Sequence, residues 1–148
     1  MEIRFENKVA FITGAAGGIG YAAARMFAEA GASVVMADLD SRVTDRAKEL
    51  EAEGHNAIGI RCDVSDEVQV KAAVEKAVAV FGKLDIAYNN VGIHAAVRED
   101  LAETEGWDFD RVISVNLRGV WNCMKYELVE MKKHGKGAIV NHSSQGGL

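Results

Sequence analysis

Apolar residues follow two alternating patterns along the chain. Short runs that are apolar at nearly every position predict five β-strands, over residues 8–13, 33–38, 57–61, 84–89 and 138–142. Between them lie longer segments with apolar residues at helical spacing. Strands that are apolar on both faces are typical of a parallel sheet covered by helices on both sides. The alternation therefore predicts an α/β, Rossmann-type doubly wound parallel sheet with strand order 3-2-1-4-5.

The helical segments have recognisable faces and ends. The predicted buried face of the first helix comprises Ile19, Ala22, Ala23, Met26, Phe27 and Ala30; that of the second comprises Val43, Ala47 and Leu50; that of the third comprises Val70, Val74, Ala77, Val78 and Phe81. Gly31, Gly54 and Gly82 follow these helices, where a left-handed residue is expected. Asp40 and Ser65 are the predicted N-caps of the second and third helices.

A longer connection joins the fourth and fifth strands. It contains a loop over residues 92–100 and a helix over about residues 105–133, whose predicted buried side comprises Val112, Val115, Gly119, Val120, Cys123, Met124 and Leu128. Asn116 lies within this helix, although asparagine competes for backbone hydrogen bonds there. It either supports a kink or a water molecule, or is an incidental polar residue.

Composition narrows the class of protein. The 148 residues fit one domain, here 1–148, and 49% of them are hydrophobic, which excludes disorder. The net charge of −5 and the lack of a basic stripe argue against a nucleic-acid partner. No apolar stretch is long enough to cross a bilayer, and residues 1–6 carry acids where a signal peptide carries basic residues, so we expect a cytoplasmic protein. Cys62 and Cys123 are expected to be buried free thiols.

A glycine-rich turn follows the first predicted strand. Residues 13–20 read Thr-Gly-Ala-Ala-Gly-Gly-Ile-Gly, which places Gly14, Gly18 and Gly20 between a strand and a helix. Backbone N–H groups of such a turn bind a pyrophosphate, supported by the helix dipole. A tight turn without a ligand is the alternative, and the clear strand and helix on either side disfavour it.

Asp38 ends the second predicted strand, roughly 20 residues past the glycine turn, where an acid binds the ribose hydroxyls of a dinucleotide. A 2′-phosphate at this point would meet like charge, and no Arg or Lys stands in the turn or at Leu39 to offset it. The predicted cofactor is therefore NAD, and not NADP. The alternative is that Asp38 only caps the next helix, a position for which Asp40 is better placed.

Polar residues also follow the other predicted strands. Asp63 and Val64 come after the third strand, where the acid either binds an adenine amino group or forms a turn ahead of Ser65. Asn90 and Gly92 follow the fourth strand, where glycine permits close approach to a ribose; a plain strand-ending turn is the alternative. Ser143 and Ser144 follow the fifth strand. Neighbouring strand residues point to opposite faces, so we do not expect a dyad between His142 and Ser143. His55, His94 and His134 lack metal-ligand spacing, and no metal site is predicted.

Taken together, these motifs resemble those of the short-chain dehydrogenase/reductase family over essentially the whole chain. They occur in order as Thr13-Gly14-x-x-x-Gly18-x-Gly20, Asp38, Asp63-Val64, Asn89-Asn90-x-Gly92, Val115-Asn116-Leu117 and Ile139-Val140-Asn141-x-Ser143-Ser144. The resemblance implies that Gly14, Gly18, Ile19 and Gly20 bind the pyrophosphate, Asp38 the adenosine ribose, Asp63 and Val64 the adenine, and Asn90 the nearby ribose. It implies that Asn116 anchors a proton-relay water and that Ser144, or failing that Ser143, orients the substrate. Val91 replaces the family's usual alanine.

The resemblance implies an NAD-dependent oxidoreductase that transfers hydride between nicotinamide and a small alcohol or carbonyl substrate. It also implies a homo-oligomer, a dimer or a tetramer. Residues 94–98, Trp107 and Gln145 are expected to line or flank the substrate pocket. The family's catalytic tyrosine and lysine would fall beyond Leu148, so we expect residues 1–148 to be an inactive amino-terminal portion. A non-catalytic nucleotide-binding module and a methyltransferase are the alternatives.

Overall fold

The computed structural model describes residues 3–96 and 100–144, and within them five strands form one parallel sheet. The strands are β1 Val9–Thr13, β2 Ser33–Asp38, β3 Ala57–Arg61, β4 Ile86–Asn89 and β5 Ala138–Asn141. Their order in the sheet is β3-β2-β1-β4-β5, and β1 pairs in parallel with both β2 and β4. This confirms the predicted Rossmann-type topology. The chain reverses its winding between β1 and β4, which opens a crevice at the carboxyl ends of these strands.

Helices cover both faces of the sheet. They are α1 Gly18–Glu29, α2 Arg42–Ala52, α3 Glu67–Phe81, a short 3₁₀ turn Leu101–Glu103, α4 Gly106–Ile113 and α5 Gly119–Lys133, with a π-helical turn, Ser114–Arg118, joining the last two. Gly31, Gly54 and Gly82 adopt the predicted positive φ angles after α1, α2 and α3. In the described ranges no helix combines the length and apolar character that a bilayer crossing requires.

Two predicted N-caps were displaced by one residue. Asp66, and not Ser65, caps α3, because its carboxylate accepts hydrogen bonds from the Val68 and Gln69 N–H groups. Ser41 occupies the N-cap position of α2 without a side-chain bond. Asp40 nevertheless accepts a hydrogen bond from the Arg42 N–H at 2.9 Å. Each carboxylate therefore binds the first turn of its helix, although the position differs.

The predicted buried face of α1 was wrong. Gly20, Ala24 and Ala28 are the buried residues of this helix, whereas Ile19 is 61% and Met26 70% exposed. Small residues allow the helix axis to approach β1 and β2 closely, and this close packing determines which side faces the sheet. The larger apolar side chains are turned outward as a result.

The outward residues of α1 line an apolar groove. This groove has a volume of about 700 Å³ and lies between α1, the amino-terminal segment and the edge of the sheet, lined among others by Ile3, Phe5, Met26, Tyr88 and Val140. Val140 belongs to the edge strand β5 and is 57% exposed. The described part of the chain therefore combines an unpaired strand edge with exposed apolar surface.

The predicted buried side of the long helix was also partly wrong. Leu128 is 41% exposed. The residues of α5 that face the sheet and α3 are Gly119, Asn122, Cys123, Glu127, Glu130 and Met131. Three of these are polar or charged, which no apolar periodicity predicts. The long helix is therefore anchored to the sheet partly through hydrogen bonds.

An isolated polypeptide of residues 1–148 is expected to self-associate at tens of micromolar. The β5 edge and the groove present unpaired backbone groups and apolar side chains, which favour pairing with another chain. Val140→Lys should reduce the association by placing a charge on the edge. Val80→Lys, which alters a similarly exposed residue on α3, should not. Size-exclusion chromatography with light scattering measures both effects, and a monomeric wild-type polypeptide would contradict the expectation.

Candidate functional site

Two clefts meet along the carboxyl ends of the strands. The first, about 550 Å³, is lined by Gly14, Asp38, Leu39, Asp40, Cys62, Asp63, Val64, Asn90, Val91, Gly92, Ile93 and Val115. The second, about 1110 Å³, is lined by Gly18, Ile19, Asn90, Val91, Gly92, Ile93, His94, Asn116, His142, Ser143 and Ser144. They share the segment from Asn90 to Ile93, so together they form one elongated crevice. Most of the predicted site residues line it, although they come from six separate parts of the chain.

The amino terminus of α1 is open to the second cleft. Its N-cap residue Gly17 makes no side-chain capping bond, and its first turn contains no acid. A Cβ atom at Gly17 or Gly18 would meet no atom within 4 Å. The unpaired N–H groups and the positive end of the helix dipole therefore face free space large enough for a phosphate group, an arrangement that binds anions.

Gly20 and Thr13 lie behind the residues that line the clefts. A Cβ atom at Gly20 would lie 2.0 Å from the Gly14 carbonyl oxygen, so only glycine lets α1 start directly against the turn. Thr13 is 1% exposed, and its hydroxyl accepts a hydrogen bond from the Asn90 N–H at 3.0 Å. Both residues were predicted to bind a cofactor. In the structure Gly20 packs against Gly14 and Thr13 is bonded to Asn90, and both of these neighbours line the first cleft.

Asp38 is held rigidly at the end of β2. Its Oδ2 accepts a hydrogen bond from the Ala16 N–H at 2.9 Å, and its Oδ1 accepts one from the Asp40 N–H at 3.0 Å. The nearby cation Arg42 is bound by Asp40, with Nε 2.8 Å and Nη2 2.6 Å from Oδ2. This bond lowers the pKa of the Asp40 carboxyl. The end of the cleft therefore presents carboxylates. Arg42 is paired with Asp40, and Arg61 donates to the Leu39 carbonyl at 3.1 Å.

Asp63 forms the turn ahead of Ser65, which is one of the two roles that its sequence context left open. Its Oδ1 accepts hydrogen bonds from the Ser65 N–H at 2.9 Å and the Ser65 hydroxyl at 2.7 Å, and the residue still lines the first cleft. Burial, with the charges of Asp63 and Asp66, raises the pKa of the adjacent Cys62 thiol to about 11. Cys62 and Cys123 are both buried and free, as predicted.

Asn116 interrupts the long helix and binds the loop after β4. It lies in the π-helical turn, in which the Gly119 N–H donates to the Ser114 carbonyl five residues earlier. Its Oδ1 accepts from the Ile93 N–H and its Nδ2 donates to the Ile93 carbonyl, both at 2.8 Å. Asn116 therefore lies where the regular α-helix is interrupted, and its amide is bonded to the loop after β4. One N–H of its amide is left for another partner.

Asp108 and Arg111 hold the same loop and were missed by the sequence reasoning. Asp108 is 2% exposed, and its Oδ2 accepts from the Ala96 N–H at 2.7 Å. Arg111 donates to the Asp108 Oδ1 and to the His94 carbonyl, each at 2.7 Å from Nη2. An acid and a base three residues apart on a helix, such as Asp108 and Arg111, normally form a surface ion pair. Their spacing therefore did not predict that they contact the loop.

The two serines enter the crevice from the end of β5. Ser143 and Ser144 line the second cleft together with Asn116 and His94. The His142 ring is bound to another residue, since its Nδ1 lies 2.7 Å from the Tyr88 hydroxyl, in accord with the expectation of no dyad with Ser143. Trp107, which was expected to flank the pocket, is 58% exposed and lines neither cleft. Arg98 and Gln145 lie outside the described residues.

Acidic side chains in the crevice do not converge. Among residues 3–96 and 100–144 there is no group of three His, Cys, Asp or Glu side chains that could hold a metal ion. The polar groups described above suit an elongated ligand instead, with phosphate near α1, hydroxyl groups near Asp38, and a carbonyl or hydroxyl oxygen near the serines. The arrangement therefore fits a dinucleotide and a small oxygen-bearing molecule beside it.

Substituting Gly20 should disrupt the turn, whereas substituting Gly17 should not. Gly20→Ala brings a methyl group into the Gly14 carbonyl and is expected to lower the unfolding free energy by about 1–3 kcal/mol, as overpacking does. Gly17 has an extended backbone, with φ −172°, and open space around it, so Gly17→Ala should change stability by less than about 0.5 kcal/mol. Urea denaturation measures both values. Equal stability of the two variants would contradict the close packing of Gly14 and Gly20.

Comparison with known proteins agrees with this geometry. The family described as short chain dehydrogenase matches residues 8–148. The chain is 45% identical over 140 residues to cis-4-hydroxycyclohexanecarboxylate dehydrogenase of Sinomonas cyclohexanicum, covering 95% of this chain and 56% of that protein. It is 42% identical over 151 residues to cyclohexanol dehydrogenase of an Acinetobacter species, covering 100% and 59%. Meso-2,3-butanediol dehydrogenase of Serratia marcescens is 39% identical over 146 residues, covering 99% and 57%.

The chain thus spans somewhat more than half the length of each of these relatives. The matched region includes the glycine turn, the acids after β2 and β3, Asn116 and the serines after β5. Sequence, topology and the arrangement of the crevice lead to one conclusion: this chain belongs to the short-chain dehydrogenase family.

Proposed function

We propose that residues 1–148 form the NAD-binding portion of an oxidoreductase that interconverts an alcohol and a carbonyl compound. The observation that carries the proposal is the continuity of the two clefts through Asn90–Ile93. The carboxylates and the serines lie at its opposite ends, and the open helix terminus lies between them. An extended dinucleotide fits this order of groups along one crevice.

Each part of NAD has a matching group in the crevice. The turn from Gly14 to Gly20, with Ile19 at the helix terminus, would bind the pyrophosphate through backbone N–H groups. Asp38 would accept hydrogen bonds from the adenosine ribose, and Asp63 and Val64 would contact the adenine. Asn90, whose N–H is fixed by Thr13, and Gly92 would contact the second ribose. These assignments place the nicotinamide end beside Asn116 and the serines.

NAD supplies the hydride acceptor at its nicotinamide ring when bound. The residues of this chain would position the other reactant. Ser144, with Ser143 as the alternative, would bind the substrate oxygen and so orient its carbon. Asn116 would hold a water molecule through the amide N–H that Ile93 leaves available. The hydroxyl of Tyr88 is bound to His142, so we assign Tyr88 no role in binding the substrate oxygen.

The names of the relatives support an alcohol as the substrate class. Proteins similar to this chain are dehydrogenases of cyclohexanol, of a hydroxycyclohexanecarboxylate and of a butanediol. All three names describe secondary alcohols. The proposed substrate of the whole protein is therefore a small secondary alcohol or the corresponding ketone.

A non-catalytic nucleotide-binding module is the second candidate. Within residues 1–148, Tyr21, Tyr88 and Tyr126 are followed four residues later by Arg25, Gly92 and Glu130, and none by lysine. The hydroxyl groups of Tyr21 and Tyr126 donate to Glu49 and Glu67. No tyrosine of this segment is therefore available for the acid/base step. The methyltransferase alternative has no support in the relatives. The homo-oligomeric state and the cytoplasmic location stay predictions.

NADH should bind more tightly than NADPH, and Asp38 should account for the difference. Asp38→Ala removes charge-assisted hydrogen bonds of about 1.5–3 kcal/mol each, which corresponds to a loss of NADH affinity of roughly 10- to 150-fold. Asp45→Ala removes an equal charge from an exposed site on α2 and should leave the affinity unchanged. Fluorescence titrations of NADH and NADPH give the affinities.

A further variant tests the role of the paired cation. Asp40→Asn releases Arg42 from its ion pair, and we expect it to improve NADPH binding without abolishing NADH binding. Tighter binding of NADPH than NADH by the wild type would refute the NAD assignment. Weak binding of both, by a polypeptide that unfolds cooperatively in urea, would refute the cofactor proposal.

The polypeptide of residues 1–148 should bind NAD without turnover. It lacks a residue for proton transfer to or from the substrate oxygen, a step for which a positioned side chain contributes about 10²- to 10⁴-fold. Absorbance of NADH during incubation with cyclohexanol or 2,3-butanediol measures turnover. A clear rate from material of verified mass would overturn this expectation.

A further inference from the structure

A carboxyl group is buried where the long helix crosses the ends of β4 and β5. Glu127 of α5 has no exposed surface. Its Oε2 accepts a hydrogen bond at 3.0 Å from the Nδ2 of Asn89, the last residue of β4. The same Nδ2 donates to the Oδ1 of Asn141 on β5 at 3.0 Å. A single carboxyl group thus connects the helix to two neighbouring strands.

Two oxygen atoms of this cluster lack a donor. In the described part of the chain, Glu127 Oε1 and Asn89 Oδ1 are buried without a hydrogen-bond partner. In the orientation that the structure gives, the Nδ2 of Asn89 contacts two acceptors, Glu127 Oε2 and Asn141 Oδ1. Leaving such oxygens unpaired is costly. A proton on Glu127 Oε1 would convert it into the donor that Asn89 Oδ1 needs.

The surroundings of Glu127 supply no positive charge. Within the ranges that the structure describes, Glu127 forms no ion pair with Lys, Arg or His. Cys123, one turn earlier, is a buried thiol whose pKa is raised by burial and by Glu127. Glu130 is paired with Lys133 at 2.7 Å, and Glu67 of α3 is bound by Lys125. Burial accordingly raises the pKa of Glu127 to about 7, although the Asn89 hydrogen bond acts in the opposite direction.

We propose that Glu127 is a neutral carboxylic acid in the native protein, bonded to Asn89 both as acceptor and as donor, and that it positions the strand ends carrying the candidate site. Asn89 directly precedes Asn90, and Asn141 lies two residues before Ser143. Loss of the proton leaves a buried carboxylate that accepts one hydrogen bond, and it leaves Asn89 Oδ1 without a donor. The contact that joins β4, β5 and α5 is then weakened. The second half of this proposal rests on the proposed cofactor function, whereas the first half does not.

The predicted pH dependence follows from the raised pKa. The native protein keeps the Glu127 proton up to about pH 7, whereas the unfolded chain loses it near its ordinary value. The stabilisation is therefore complete at low pH and is lost as the pH rises to about 7. Carboxyls whose pKa is lowered lose their stabilisation on acidification instead; they include Asp40, Glu49, Asp66, Glu67 and Asp85. The change in stability between pH 5.5 and 8 therefore reports on Glu127 and on the histidines. A variant of Glu127 is needed to separate these two contributions.

The first test measures the proton directly in the wild-type protein. Carbon-13 NMR of the carboxyl groups, with Glu127 assigned in the wild type by correlating its side-chain and backbone signals, should give a titration midpoint near neutrality. A Glu127 carboxyl that is already ionised at pH 5.5 would overturn the proposal. This measurement requires neither NAD nor activity, so it holds whether or not the proposed function is correct.

The second test uses the isosteric variant. Glu127→Gln carries an amide that donates and accepts in the same places, so it should fold and flatten the fall in Tm between pH 5.5 and 8. Glu130→Gln is the matched control on the same helix and should keep the wild-type slope. An unchanged slope in Glu127→Gln would overturn the proposal. Should that variant fail to fold, the NMR titration decides alone.

The third test concerns positioning. If Glu127 places the strand ends, NADH affinity should weaken several-fold from pH 6 to pH 8 in the wild type and in Glu130→Gln, and stay constant in Glu127→Gln. The same pH dependence in all three proteins would refute the positioning role while leaving the neutral acid in place. Absence of NADH binding at every pH would refute the proposed function and the positioning role together, and not the protonation state.

Discussion

The long helical segment from Gly106 to Lys133 determines where three of the five strand ends lie. Asn116 binds the backbone of Ile93 after β4, and Asn122 Nδ2 donates to the Val64 carbonyl after β3 at 2.8 Å. Glu127 reaches Asn89 and, through it, β5. Because these side chains replace water as partners of backbone and amide groups, displacing the helix would leave several buried polar atoms unpaired. The crevice keeps its shape for this reason.

The π-helical turn lies between α4 and α5 and takes part in two contacts of this segment, one by Gly119 and one by Asn116. Gly119 packs so tightly that a Cβ atom there would lie 2.6 Å from Val64 Cγ2, which fixes the start of α5 against β3. Asn116, in the π-helical turn, binds the Ile93 backbone at the same time. The extra residue in the turn changes the rotation between α4 and α5, so that both contacts form. Single π turns of this kind are frequent at functional sites.

Some features of the fold and of the site can be predicted from the sequence and others cannot, depending on the physical property that determines each feature. Strands and their order were predicted correctly, because apolar runs and alternation reflect burial directly. The predicted buried face of α1 was wrong. The close approach of Gly20 and Ala24 to the sheet determines the orientation of the helix, and the size of Ile19 or Met26 does not. Glu127 was missed because its partner Asn89 is far away in the sequence. Asp108 was missed because a charged residue in a helix is usually exposed.

A buried polar cluster at the β4–β5 edge has a physical explanation in the register of the strands. Asn89 and Asn141 are paired residues on adjacent strands, and their side chains lie on the same face as Glu127. A shift of one residue would turn both amides to the opposite face, where Tyr88 and His142 now meet, and would leave Glu127 without a partner. Apolar residues of similar volume would tolerate such a shift far better. The polar contact therefore specifies one alignment, and that alignment delivers Asn90 and the two serines to a common crevice.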